Sequence, residues 1–367
     1  MQLTYESFNL IFAKNTNTDA LNEQLTRRRK KMSGYKRLFS PLRVGSLTLR
    51  NRIVMPPMAT NMQVGSDQAH AWYVTRAKGG VGLIIREGTA IEQLAKSSFT
   101  NKLKRTVDAV HEIGAAIAVQ LVFWGRTIGG KATAPPVRMT PNEPTEEKLL
   151  EIISLYARAA VECRRVGFDS VEPHGAHGFF LNQFFSPITN TRTDKFGGLL
   201  ENRMKMGLHI VRAIRDSVDD DCIVLYRHTP RGEGYSLEDS RLFAKELENA
   251  GVDILDVSPS TSGSRAPRAD MAGALKNAVA IPVIAVGGFG RNPSAAENVL
   301  RKGRADLIAI GRGLIADPEL TNKLREGRPI IECQECNEKC FGNLRKHEPI
   351  GCAQNEKSGK EYLFMNL

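Results

Sequence analysis

The sequence has 367 residues, of which 41% are hydrophobic and 25% are charged, as in ordinary soluble globular proteins. No run approaches the roughly 18 apolar residues of a membrane-spanning helix, and no long apolar core opens the chain, so we expect a cytoplasmic protein without a secretory signal. Residues 1–37 carry eight Lys/Arg against three Asp/Glu, nearly half of the net charge of +11, and there is no aromatic–basic interleaving. This distribution argues against nucleic-acid binding and favours small anionic substrates or cofactors.

Residues 1–34 form a polar, basic extension that includes five consecutive basic residues from Arg27 to Lys31. Its weak periodicity leaves three interpretations open: a disordered arm, a helix that docks on a partner, and an upstream start-codon artefact. We expect the structured part of the chain to begin at about residue 35.

Eight short apolar runs rich in Val, Ile and Leu follow, and such runs are typical of parallel strands that are buried on both faces. The predicted strands are Ile53–Ala59, Val81–Thr89, Ala115–Val122, Ser170–Gly175, Cys222–His228, Asp253–Ser258, Pro282–Gly288 and Leu307–Arg312. Amphipathic stretches separate them, and eightfold alternation of strand and helix predicts an α/β fold, a closed (β/α)8 TIM barrel. An open doubly wound sheet is the alternative, although no Gly-x-Gly-x-x-Gly turn follows the first strand.

The predicted helices have recognisable starts and stops. The four clearest are Leu103–Ile113, Thr145–Val166, Ser236–Ala250 and Pro293–Arg301. A glycine directly follows each of the first three, and Asn292 precedes the fourth as a plausible N-cap, with Pro at its first position.

Polar residues and glycines gather at the ends of the predicted strands, where barrels carry their chemistry. In chain order they are Pro57, Met58, Ala59, Gln120, Gly125, Arg126, His174, His177, Arg227, His228, Gly287, Gly288, Gly311 and Arg312. The glycines after strands 7 and 8, with Arg312, predict a phosphate site, because glycines let backbone N–H groups approach oxygen atoms. The alternatives are that these glycines only close tight turns and that Arg227 is a structural partner of a carboxylate.

Several longer motifs resemble the old yellow enzyme (NADH:flavin oxidoreductase) family over about residues 38–355. They are Leu38-Phe39-Ser40-Pro41-Leu42, Leu49-Arg50-Asn51-Arg52-Ile53, Arg76–Gly82, Gly167-Phe168-Asp169, His174–Gly178, Asn182-Gln183-Phe184, Arg192–Gly198, Glu201-Asn202-Arg203 and Ala316-Asp317-Pro318. The resemblance implies noncovalent FMN. It implies that Pro57, Met58, Ala59, Gln120, Arg227, Gly287, Gly288, Gly311 and Arg312 contact FMN.

Four cysteines follow the barrel with the spacing Cys333-x2-Cys336-x3-Cys340-x11-Cys352. Without a secretion signal such a run points to metal rather than disulfides, and the spacing alone fits either zinc or a [4Fe–4S] cluster. The segment resembles the cluster segment of 2,4-dienoyl-CoA reductase, trimethylamine dehydrogenase and enoate reductases, which implies iron–sulfur. The predicted domains are therefore the extension 1–34, an FMN barrel over 35–330 and an iron–sulfur segment over 331–367.

In those relatives an FAD- and nicotinamide-binding region follows the cluster, whereas this sequence ends 15 residues after Cys352. The resemblance implies that a flavoprotein or another electron-donor partner feeds the cluster, with NAD(P)H acting indirectly through it, or that the chain is a truncated larger enzyme. A homo-oligomer is compatible with the sequence.

The resemblance also assigns catalysis to His174 and His177, which would hydrogen-bond a substrate carbonyl or nitro oxygen while a tyrosine protonates the product. This chain has Phe179 at the tyrosine position, and we consider Tyr226, with Tyr235 as a second choice, as a substitute. Residues 120–126 also lack the histidine of many relatives. We expect reduction of an activated C=C bond. Amine oxidation and a non-catalytic electron-transfer role are the alternatives.

Overall fold

The computed structural model describes residues 33–124, 140–259 and 268–365. Eight parallel strands close into a barrel in which each strand pairs with the next along the chain and the last pairs with the first. The predicted TIM barrel is confirmed and the open sheet is excluded. The predicted extension 1–34, except for its last two residues, and Gly125 and Arg126 lie outside the described residues.

The strands comprise an antiparallel hairpin followed by the barrel. They are β1 (Leu42–Val44), β2 (Leu47–Leu49), β3 (Ile53–Met55), β4 (Leu83–Ala90), β5 (Ala116–Val122), β6 (Ser170–Gly175), β7 (Ile223–His228), β8 (Ile254–Val257), β9 (Val283–Val286) and β10 (Leu307–Ala309). The first barrel strand is four residues shorter than predicted, because Pro56 and Pro57 have no N–H group to donate to a neighbouring strand.

The helices surround the barrel and continue into the C-terminal segment. They are α1 (Asp67–Lys78), α2 (Ile91–Leu94), α3 (Ser97–Glu112), α4 (Glu146–Arg165), α5 (Phe180–Phe185), α6 (Leu200–Arg215), α7 (Leu237–Asn249), α8 (Arg268–Lys276), α9 (Pro293–Arg301), α10 (Arg312–Ala316), α11 (Leu320–Glu326) and α12 (Asn343–Arg345). None of these helices is long and apolar enough to cross a membrane.

The predicted helix starts agree with the capping contacts. The hydroxyl of Thr145 accepts from Lys148 N, and the side chain of Asn292 accepts from Ala295 N. Ser236 and Asp239 form a reciprocal capping box at the start of α7. Helix α3 begins at Ser97, six residues before the predicted Leu103, because Phe99 is the single apolar residue among the first six and one residue does not mark a helical period.

Alternate strand residues face opposite sides of the barrel wall. Val54 and Leu83 belong to a cluster inside the amino-terminal end of the barrel, together with Leu49 of the hairpin, whereas Ile53 and Ile84 pack against the helices. The hairpin therefore closes the amino-terminal end, and the functional cavity can open only at the opposite end.

The C-terminal segment docks on helices α1 and α10. Arg76 and Glu361 form a buried ion pair at 3.0 Å, and the hydroxyl of Ser358 donates to the carbonyl oxygen of Ile315 at 2.6 Å. Earlier in the segment, the backbone N–H of Ile350 donates to the carbonyl oxygen of Thr60 at 2.9 Å. These contacts hold the segment against the barrel mouth, directly behind β3.

Candidate active site

A cavity of about 710 Å³ lies at the carboxyl ends of the barrel strands. All the predicted cofactor-binding and catalytic residues except Tyr226 line it: Pro57, Met58, Ala59, Gln120, His174, His177, Arg227, Gly287, Gly288, Gly311 and Arg312. Residues separated by up to 255 positions in the sequence thus converge on one cavity of the size that small-molecule sites have.

Adjacent strands build the floor of the cavity. Gln120 and Glu172 occupy paired positions on β5 and β6, and Nε2 of Gln120 donates to Oε1 of Glu172 at 2.7 Å. Arg227 and Asp256 are paired on β7 and β8, with Nε of Arg227 3.4 Å from Oδ2 of Asp256. Because Gln120 and Arg227 face the cavity while the carboxyls lie beneath, the carboxyls fix the orientation of the two cavity residues.

The predictions from sequence missed Glu172 and Asp256. Both are fully buried, and burial followed by the neighbouring Asp256 raises the pKa of Glu172 well above its usual range. Burial also raises the pKa of Asp256. The available signal was a carboxylate inside a predicted buried strand, next to Val171 for Glu172 and between Leu255 and Val257 for Asp256. A buried carboxylate rarely occurs without a partner.

His174 and His177 face the same part of the cavity, with ring centroids 5.3 Å apart. His177 has a φ of 58°, an uncommon conformation for a non-glycine residue, and its backbone N–H donates to the hydroxyl of Thr229 at 2.9 Å. Its Nε2 lies 2.9 Å from Oγ of Ser258. A strained backbone that fixes a side chain at a cavity is frequent at functional sites.

Burial and the nearby Arg227 lower the pKa of His177 to about 3, so its imidazole is neutral near neutral pH. Phe179 and Trp124 form an aromatic wall beside the two histidines. The ring centroid of Phe179 lies 4.5 Å from that of His174 and 5.3 Å from that of Trp124. The neutral imidazole of His177, with His174 and an apolar wall beside it, can hold a polar atom of a substrate while the carbon skeleton of the substrate packs on the aromatic rings.

Tyr226 is placed away from the cavity. Strand alternation turns it from Arg227 toward the helices, where it is 1% exposed and its ring lies 5.6 Å from that of Phe243. Burial raises its pKa. Tyr235 is also outside the cavity lining and donates its hydroxyl to Thr229 O at 3.1 Å. The prediction that Tyr226 supplies the missing acid therefore fails on position, because a proton donor must reach the substrate.

The predicted phosphate end combines open backbone with positive charge. Gly287 and Gly288 have φ values of 115° and 82°, and a Cβ added at Gly288 would meet nothing within 4 Å. Arg312 lines the same end, and its guanidinium lies 3.2 Å from the carboxylate of Glu335. Glu335 also lies 3.7 Å from Arg291. Two arginines and accessible backbone suit a phosphate group.

The cysteine segment borders this cavity. Cys333 and Cys340 line it, and the backbone N–H of Gly351 donates to Lys339 O at 2.8 Å, which brings the Cys340 and Cys352 regions together. All four cysteines have free thiols. Within residues 33–124, 140–259 and 268–365, no group of three or more His, Cys, Asp or Glu side chains converges as ligands of a single metal ion.

A family model for NADH:flavin oxidoreductase / NADH oxidase matches residues 37–330, most of the barrel. The chain belongs to this family. It is 38% identical to an NADH oxidase of Thermoanaerobacter brockii over 92% of the chain and 58% of that relative, so it spans little more than half of the relative's length.

Two solved structures share the fold across the whole barrel. A 2-naphthoyl-CoA reductase superposes with a TM-score of 0.79 at 26% identity, covering 89% of this chain and 58% of the other. Histamine dehydrogenase from Rhizobium sp. 4-9 gives a TM-score of 0.80 at 26% identity, covering 89% and 53%.

The residues of this NADH:flavin oxidoreductase family member fit the FMN that the family implies. Arg312 and the open glycine turns suit the phosphate group, while the Gln120 amide and the buried Arg227 suit the polar edge of the flavin pyrimidine ring. Nε of Arg227 is buried without a hydrogen-bonded acceptor among the described residues and lies 3.4 Å from Oδ2 of Asp256, so this carboxylate is the counter-charge of the guanidinium beneath the cavity.

Proposed function

We propose that this FMN-dependent oxidoreductase reduces an activated C=C bond, of the enoate or enoyl-CoA type. The observation that carries the proposal is the pair His174 and His177 on the same cavity as Gln120 and Arg227. This arrangement supports polarisation of a substrate carbonyl next to a flavin ring. The likeness to a 2-naphthoyl-CoA reductase agrees with a conjugated acyl substrate.

The imidazole of His177 acts as a neutral hydrogen-bond donor. Because the pKa of His177 is about 3, its ring donates a hydrogen bond to a carbonyl oxygen and does not protonate it. Negative charge that develops on that oxygen is stabilised by the His177 ring, whose orientation is fixed in advance by the contacts of His177 with Ser258 and Thr229. FMN, when bound, supplies the hydride.

Reduction of a C=C bond also needs a proton donor for the product carbon. Among the described residues that line the cavity none is a tyrosine, and the phenyl ring of Phe179 has no proton to give. If a solvent proton takes this role, Phe179→Tyr adds an acid beside His174 and raises turnover by up to about 10²-fold, the lower end of general-acid effects.

The test is anaerobic turnover of enoates, enoyl-CoA esters, histamine and methylamines with artificial donors and acceptors. His174→Ala should lower alkene reduction by about a hundredfold, the scale of losing one oxyanion donor, while flavin reduction by dithionite is unchanged. His209→Ala, at a histidine outside the cavity lining, is the matched control. Equal rates in the two variants would exclude the histidine role.

Amine oxidation is the second candidate, because the likeness to histamine dehydrogenase is as close as that to the reductase. The absence of a tyrosine among the described residues that line the cavity weakens the reductive reaction, which must deliver a proton to carbon. Turnover of histamine or methylamines with an artificial acceptor, without alkene reduction, would establish this candidate in place of the first.

We further propose that Cys333, Cys336, Cys340 and Cys352 bind a [4Fe–4S] cluster that passes electrons to the flavin. Backbone N–H groups of Glu335 and Gln354 point at the sulfur atoms of Cys333 and Cys352, each at 3.4 Å. Glu335 and Asn337 flank Cys336 in left-handed conformations, with φ values of 59° and 60°. Such turns direct N–H groups at anionic centres, including iron–sulfur clusters.

Each cysteine of a four-iron cluster binds a different iron, so the thiols need not converge on one point as they would around zinc. Cys336 is exposed, which supports the proposal that an external electron donor can approach the cluster. We propose that a separate flavoprotein or a C-terminal reductase region is this donor, with NAD(P)H acting through it.

Metal analysis of anaerobically purified protein tests the cluster. We expect about four iron atoms per chain, lost in Cys336→Ser because an alkoxide is a poor ligand for iron–sulfur sites. Cys222→Ala, at a fully buried cysteine directly before β7, should retain the iron. Stoichiometric zinc without iron would exclude the cluster.

A further inference from the structure

Two buried carboxyls lie beneath the flavin site, and the proposed reaction uses neither. Glu172 and Asp256 are both 0% exposed, and they lie on β6 and β8, the two strands on either side of β7. Each supports one cavity residue: Glu172 accepts from Gln120 at 2.7 Å, and Asp256 lies 3.4 Å from Nε of Arg227.

These carboxyls have more oxygen atoms than the surrounding residues have donors. Oε2 of Glu172 and both oxygens of Asp256 are buried without a donor among the described residues. Leaving buried carboxylate oxygens unsatisfied is costly. The two groups lie within hydrogen-bonding distance of each other, and one proton between them supplies the missing donor.

The charges around the two carboxyls also indicate that the pair holds one proton. Within the described chain, the groups that act on both carboxyls are Arg227 and the carboxyls themselves, with Gln120 as a neutral donor to Glu172. Two ionised carboxyls against one arginine would leave a net negative charge in a buried site, whereas one shared proton makes the floor neutral.

We propose that Glu172 and Asp256 share one proton, held on Glu172, so that Asp256 alone carries the negative charge that neutralises Arg227 under the flavin site. Glu172 donates to Asp256 and in turn accepts from Gln120. The two are positioning residues, because they act on the flavin site through Gln120 and Arg227.

The assignment of the proton follows from the asymmetry of the pair. Asp256 lies 3.4 Å from Nε of Arg227. Burial first, and then the charge of Asp256, raises the pKa of Glu172 well above its usual range, although Arg227 and the hydrogen bond from Gln120 partly oppose that rise. Burial also raises the pKa of Asp256, but Arg227 and the hydrogen bond from Glu172 oppose that rise. The carboxyl nearer the guanidinium therefore stays ionised.

This distribution of charge sets how readily the flavin is reduced. Reduction places negative charge at the pyrimidine end, next to the residues that suit it, Gln120 and Arg227. The charge on Asp256 offsets part of the stabilisation by Arg227, whereas the neutral Glu172 does not. The flavin midpoint potential should therefore respond to one carboxyl and not to the other.

Two isosteric variants make this measurable, with the midpoint potential of bound FMN as the readout. Asp256→Asn should raise the potential, because Arg227 loses its counter-charge. Glu172→Gln should leave the potential close to that of the wild type, because the amide N–H donates to Asp256 as the carboxyl proton did. If both variants raise the potential equally, both carboxyls are ionised and the proposal is wrong.

Infrared spectroscopy of the unsubstituted apoprotein gives a second readout that does not depend on folding of the variants. We expect the carbonyl band of a protonated carboxylic acid at neutral pH, shifted in D2O. Absence of that band would overturn the proposal. Neither measurement uses a substrate, so both are independent of whether the enzyme reduces alkenes or oxidises amines.

Discussion

Arg312 offers a quantitative test of the phosphate end. Charge-assisted hydrogen bonds contribute roughly 1.5–3 kcal/mol, and the one-third exposure of the Arg312 side chain reduces this to about 1–2 kcal/mol through solvent screening. Arg312→Ala should therefore raise the dissociation constant of FMN by about 5- to 30-fold. Titration of the apoprotein with FMN, followed by quenching of flavin fluorescence, measures it.

A substitution at Glu335 should change the dissociation constant of FMN in the opposite direction. In the structure Arg312 is paired with Glu335, a contact that competes with a phosphate group for the guanidinium. Glu335→Gln removes the competing charge, so FMN should bind up to about fivefold more tightly, the upper range for a partly exposed ion pair.

Arg328 is the matched control, because its side chain is 39% exposed and pairs with Glu319 and Glu326 away from the cavity lining. Arg328→Ala should leave the dissociation constant unchanged, and added salt should shrink the effect of Arg312→Ala. The reasoning is refuted if the two alanine variants bind FMN equally.

Three further predictions concern the barrel itself. Tyr226→Phe should leave substrate turnover unchanged, since the hydroxyl lies on the helical side of β7; a large loss in steady-state rate would return Tyr226 to catalysis. Gly175→Ala should lower the free energy of unfolding in urea by more than about 2 kcal/mol, because the added Cβ would lie 2.3 Å from the Tyr226 hydroxyl. Gly303→Ala is the control: only the φ of +65° opposes that substitution, which should cost about 1 kcal/mol. Burial lowers the pKa of His228 to about 3, so the unfolded chain binds a proton that the folded chain does not, and the free energy of unfolding falls as pH drops from about 6.5 toward 3. The contribution of His228 to this slope is at most about 1.4 kcal/mol per pH unit, and His228→Gln should remove it. An unchanged slope in the variant would contradict the assignment.

The barrel and most of its cavity were predictable because each depends on local patterns. Buried parallel strands and capped helices can be predicted from runs of a few residues. Once the strands close into a barrel, the carboxyl ends of the strands that carry Gln120, His174 and Arg227 must meet at one cavity. Tyr226 was misplaced because its neighbour Arg227 faces the cavity, and consecutive strand residues face opposite sides.

Glu172 and Asp256 escaped prediction for a different reason. A sequence shows that a carboxylate lies in a predicted buried strand. Only the strand order and register show that the two strands carrying these carboxylates flank β7, the strand of Arg227. Pairing of buried charges is a tertiary property, and no local pattern encodes it.

The flavin site and the cysteine segment share structural elements. Thr60 follows the cavity residue Ala59 and accepts from Ile350, two residues before Cys352, while Glu335, between Cys333 and Cys336, pairs with Arg312. We therefore expect binding of the proposed cluster and binding of FMN to influence each other, because coupling between two sites is reciprocal. Metal content has to be held constant when the FMN affinities of Arg312 and Glu335 variants are compared.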